Sequence, residues 1–154
     1  MTSSSTTGGA ATGPAPRDPS AVTEVLEMEP TVAGEDFSRV AFTGAALTQI
    51  RRLIARHGPL MFHQSGGCCD GSSPMCYPAG DFLTGDADVR MGHALIPLAD
   101  GTSSPLDFWM SREQFAYWRH THLTIDLVPG RGGGFSLESP DGTRFLTRSR
   151  LLGE

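Results

Sequence analysis

The sequence predicts a single compact, strand-rich α+β domain with two short helices. Three observations carry that expectation. Residues 88–96 and 122–129 alternate apolar and polar side chains, as half-buried strands do. Residues 43–58, TGAALTQIRRLIARHG, place Leu47, Ile50, Leu53 and Ile54 on one helical face. A PDG turn signal lies between GGGFSLES and TRFLTR and predicts a hairpin. The 154 residues suit one domain and suffice for a real core.

The first 20 residues, rich in Ser, Thr, Gly, Ala and Pro, hold almost nothing to bury and read as a disordered tail. Residues 21–35 form an extension in which Val22, Val25 and Met28 suit either a short strand or a turn of helix. The globular part spans 36–154. SRVAF (38–42) reads as a strand. Thr43 caps the first helix, the arginines 51, 52 and 56 face outward near its C-terminal end, and Gly58-Pro59 stops it. PLMFHQS (59–65) is the next strand. In 88–96, Val89, Met91, His93 and Leu95 are expected on one face. LDFWM (106–110) is a strand. Ser111 and Gln114 form a capping box opening the second helix, which buries Phe115 and Trp118. Residues 122–129 alternate through Leu123, Ile125 and Leu127.

Net charge is −5, and the positive charge is all arginine. An acidic chain without a basic cluster argues against nucleic acid as a partner. The absence of lysine removes Schiff-base chemistry. No stretch approaches the ~20 apolar residues of a membrane span, and the N-terminus has no apolar signal region, so a cytoplasmic location is expected.

All three cysteines lie in one window, HQSGGCCDGSSPMCY (63–77). Thiolates are soft ligands for zinc, copper(I) and iron–sulfur clusters. Cys68 and Cys69 are adjacent, so both face one ion only on irregular backbone, which Gly66, Gly67, Gly71 and Pro74 provide. Cys76 follows seven residues after Cys69, His63 lies on the incoming strand, and Asp70 adjoins the pair. These five residues are the candidate metal ligands. The spacing matches no zinc ribbon or ferredoxin. The bland alternative is three small buried hydrophobes beside a turn. A metal-free thiol, activated by His63 and resolved by a second cysteine, is the other chemical reading.

The remaining polar residues signal less. His93 lies on a strand's apolar face and reads as a core histidine. His120 and His122 make an H-x-H at a helix-to-strand junction. Asp81, Asp86 and Asp88 read as solvated loop residues. PGRGGG (129–134) lacks the G-K-[ST] of a phosphate loop and reads as a glycine-rich bend. Arg131, in that bend, is placed to meet an anionic substrate. Arg131, His120 and His122 are therefore the catalytic candidates.

Residues 43–152 resemble a bacterial family known as domain of unknown function 779. The match rests on RRLIARHGPLMFHQSGGCCDGSSPMCYP and DFWMSREQFAYWRHTHLTIDLVPGRGGGFSLESPDGTRFLTRSRLL. The resemblance implies a small bacterial protein, often encoded beside aldehyde dehydrogenases, and so an aldehyde dehydrogenase as partner in aldehyde or alcohol oxidation. A looser resemblance is to the HesB-like fold of A-type iron–sulfur carriers. It makes Cys68 or Cys69 the position-matched thiol, although the carriers' C-terminal C-G-C pair has no counterpart in FLTRSRLLGE. The expected function is metal binding in an accessory role, with iron, an iron–sulfur cluster, copper or zinc as the ion. The alternatives are a small metalloenzyme with an open coordination position and a metal-free thiol redox protein. A homodimer would form through a strand edge or the aromatic 108–118 stretch.

Overall fold

The computed structural model describes residues 25–64, 72–82, 84–130 and 136–152. The described residues form an α+β domain of eight strands and two helices. The strands are β1 (Val25–Glu27), β2 (Val40–Thr43), β3 (Leu60–Gln64), β4 (Met75–Pro78), β5 (Asp88–Pro97), β6 (Ser103–Ser111), β7 (Thr121–Pro129) and β8 (Thr143–Leu151). The helices are α1 (Gly44–His57) and α2 (Arg112–Trp118), and a single 3₁₀ turn covers Ser139–Asp141.

The strands make two four-stranded sheets, ordered β1-β2-β7-β8 and β4-β3-β6-β5. Each holds one parallel pair, β2 with β7 and β3 with β6, and is otherwise antiparallel. Their inner faces share one core. Phe62 lies 5.4 Å from Phe42, 5.9 Å from Phe108 and 4.9 Å from Phe145, centroid to centroid. All four rings are fully buried.

α1 links the two sheets. Thr43 accepts from the Ala46 amide (3.2 Å) as the cap, and Asp126 Oδ1 holds that hydroxyl at 2.8 Å. Gly58, at φ 80°, ends the helix while its N–H returns to Ile54 O. That positive φ is what glycine permits without a steric cost. Leu47, Ile50, Leu53 and Ile54 are buried as the spacing predicts. Ser111 caps α2 by accepting from Gln114 N, while Gln114 Oε1 accepts from Trp118 Nε1.

Two expectations about strand pairing need correction. In β5 the pairing skips from Arg90↔Trp109 to Gly92↔Phe108, a bulge at Met91. One extra residue reverses the alternation beyond it. Met91, Ala94 and Ile96 therefore point inward, His93 is half-buried, and Leu95 is 59% exposed. Close packing calls for glycine at position 92: a Cβ there would stand 2.7 Å from Met28 Cβ. Met28 packs into the core, and Glu29 exchanges backbone hydrogen bonds with His93, stitching the N-terminal segment to the second sheet.

The other correction concerns the hairpin. β8 pairs with β7, from Pro129↔Thr143 to Thr121↔Leu151, and not with the residues just before PDG. Those residues serve β4 instead: Leu137 N donates to Cys76 O, and Ser136 Oγ accepts from Cys76 N. In the described part of the N-terminal extension, Val25–Glu27 form β1, paired to β2. The tail 1–20 lies outside the described residues.

Candidate histidine and cysteine-loop site

The site lies at the end of β3. Alternation along β3 sends Phe62 inward and His63 to the opposite face. Phe62 pairs with Cys76 on β4 and His63 with Met75, so the Cys76 side chain shares the core face with Phe62. His63 and Cys76 thus stand on opposite faces of one sheet.

His63 is only 2% exposed. Phe82 covers its ring at 4.3 Å, and Tyr77 stacks on Phe82 at 5.2 Å. His63 Nε2 lies 2.7 Å from Asp88 Oδ1, while Asp88 Oδ2 accepts from Gly85 N. A carboxylate can only accept, so the Nε2 proton lies towards Asp88, and in the neutral imidazole Nδ1 then carries the lone pair. Nδ1 is buried and, among the described residues, meets no hydrogen-bond partner. Asp88 was expected to be solvated. It heads β5, 25 residues from His63, and no local spacing signals that pairing.

Two residues after His63 the chain enters the glycine–cysteine loop. Cys68, Cys69 and Asp70 lie outside the described residues, as does Arg131. The loop's two ends are held together. Thr147 of β8 donates through its hydroxyl to Gln64 Oε1 (3.2 Å) and through its amide to Ser72 O (2.8 Å). Beside this clamp sits a buried carboxylate missed by sequence reasoning. Glu138 is fully buried, accepts from Ser136 Oγ, and takes the Phe145 amide at 3.3 Å. Burial raises its pKa, and these hydrogen bonds only partly oppose that. Burial, then the charge of Glu138, pushes the Cys76 thiol well above its ordinary value.

His122 is buried and bonded to Glu27 Oε1 at 2.9 Å, whereas His120 is exposed. His93 pairs with Asp107 at 2.8 Å. Among the described residues, no three His, Cys, Asp or Glu side chains gather as a metal site. Among them also, no helix is long and apolar enough to cross a membrane.

No curated protein and no solved structure matches the chain, so the HesB-like likeness gains no support. A family model described as a domain of unknown function, DUF779, matches residues 49–151 and takes in both the His63 strand and the cysteine loop. That match covers more than half of the sequence, and the chain belongs to the DUF779 family.

Proposed function

We propose that this chain binds a metal ion at the base of its glycine–cysteine loop, through His63 Nδ1 and the thiolates of Cys68 and Cys69, with Asp70 completing the shell. One observation carries the reading. His63 is oriented by a carboxylate on one ring nitrogen and leaves the other buried and, among the described residues, unpartnered. A second-shell carboxylate that fixes the tautomer is the usual arrangement behind a metal-binding histidine. An orphaned buried nitrogen costs about 1–3 kcal/mol, which a ligand would remove. Cys76 faces the core, with a thiol that burial keeps protonated, and is assigned to packing. The ion is one that accepts nitrogen and sulfur together, namely zinc, copper, iron or an iron–sulfur cluster. We assign the protein an accessory role to a partner enzyme, an aldehyde dehydrogenase.

Plasma mass spectrometry of anaerobically purified protein tests this. Near one metal per chain is expected, lost in Cys68→Ser/Cys69→Ser, reduced in His63→Ala and kept in Cys76→Ser. Full metal in the double serine variant would sink the proposal.

A second reading, a metalloenzyme built on the same site, draws on one feature. A hollow of about 320 Å³ lies on His63's face of the sheet, lined by Met61, Phe82, Asp107 and Trp109 among others. Aldehyde turnover by the isolated metal-loaded protein, lowered by Asp107→Asn at unchanged metal content, would favour it.

A further inference from the structure

A second hollow, about 400 Å³, opens between residues 31–35, the start of β5 and α2. It shares only Asp88 with the histidine site. Five charged side chains line it: Glu35, Asp88, Arg90, Arg112 and Arg119. Their charges are unevenly committed. Glu35 is held by both Nε and Nη2 of Arg39, and Asp88 is taken by His63 and the Gly85 amide. Arg90 reaches Asp107 only at 3.6 Å. Arg112 donates to a backbone oxygen, Asp86 O, and Arg119 lies 6.0 Å over the Phe115 ring. Among the described residues neither Arg112 nor Arg119 has a carboxylate partner. Two exposed guanidiniums with free charge thus face one concavity in a protein of net charge −5. Val32, Ala33, Val89 and Phe115 supply its apolar wall.

We propose that this hollow binds a small phosphate monoester with an apolar body. Guanidinium forks match phosphate oxygens bidentately. The two uncommitted charges match a dianion, which a monocarboxylate does not supply. The volume falls in the range of small-ligand sites, where a few polar groups orient a molecule held by apolar contact.

Titration calorimetry with phenyl phosphate, inorganic phosphate and benzoate tests this at low salt. Phenyl phosphate is expected to bind about tenfold more tightly than either comparator, through charge relative to benzoate and through apolar contact relative to phosphate. Arg112→Ala and Arg119→Ala should each weaken it by about tenfold or more, and Arg112→Lys by less, because lysine keeps the charge but loses the fork. Both arginines are exposed, so far-ultraviolet circular dichroism should be unchanged in every variant. No binding of phenyl phosphate at millimolar concentration, binding that survives the double alanine variant, or benzoate binding equally well would each overturn the assignment. Repeating the titration after chelator treatment keeps this result separate from the metal proposal, since none of these arginines belongs to that site.

Discussion

Glu138 shows what burial does to one carboxyl group. Its folded pKa lies above the unfolded value, so its contribution to stability is fully present below the unfolded pKa, near 4.3, and is lost as pH rises through the raised folded value. Gln at this position reproduces the donor and acceptor of the protonated acid, towards Ser136 and the Phe145 amide. Urea midpoints of Glu138→Gln should therefore compare better with the native protein at pH 7.5 than at pH 4; the opposite order would refute the assignment. Cys76 gives a second check. Its raised pKa and full burial predict that iodoacetamide leaves it unmodified in the native protein and alkylates it only after unfolding, as peptide mapping would reveal. Little at this scale was legible in the sequence. Asp88 and Glu138 each find their partners through strand pairing or chain return, and neither carries a spacing signal. His63 was legible because it adjoins the cysteines.

Among the elements, α1, α2 and β7 lie where periodicity and caps place them. Thr43→Ala should cost about 1 kcal/mol, as loss of a helix cap does, and should also release Asp126 from its hydroxyl partner. β5 is where period-2 reasoning broke, because an extra residue at Met91 leaves no mark in the sequence around it. The bulge makes opposite demands on neighbouring positions. Leu95→Thr should change stability by no more than about 0.5 kcal/mol, whereas Ile96→Val should cost about 0.5–1.5 kcal/mol. Equal costs in chemical denaturation would argue for an unbulged strand. Gly92→Ala forces a Cβ into Met28 and should cost about 1–3 kcal/mol, with coupling to Met28→Ala in a double-mutant cycle.

At the level of the whole molecule, strand-rich composition with two helices was enough to set the class, but not the arrangement of the sheets. The parallel pairs join Val40 to Leu123 and Leu60 to Leu106, across long separations that no local pattern encodes. The segment before the family match is part of the same core. Met28, Val40 and Phe42 are buried, and Glu27 meets His122. Partial burial raises the pKa of Glu27, but hydrogen bonds from His122 and Ser38 and nearby positive charge outweigh it, leaving it lowered. A chain beginning at residue 36 should therefore unfold at lower urea concentration than the full chain, and lose the stability Glu27 contributes above about pH 4.3.

The Thr147 clamp reaches further than its two hydrogen bonds suggest. A free loop pays conformational entropy each time its ends are gathered around a ligand, whereas one already closed at Gln64 and Ser72 has met much of that cost during folding. Thr147 thereby acts on the loop as the backbone of a macrocycle acts on a chelator. Thr147→Val keeps the amide bond to Ser72 and removes only the hydroxyl bond to Gln64. On the proposed metal site it should shorten the residence time of the ion, measured as faster transfer to a competing chelator, although position 147 lies on another strand and offers no thiol, imidazole or carboxylate.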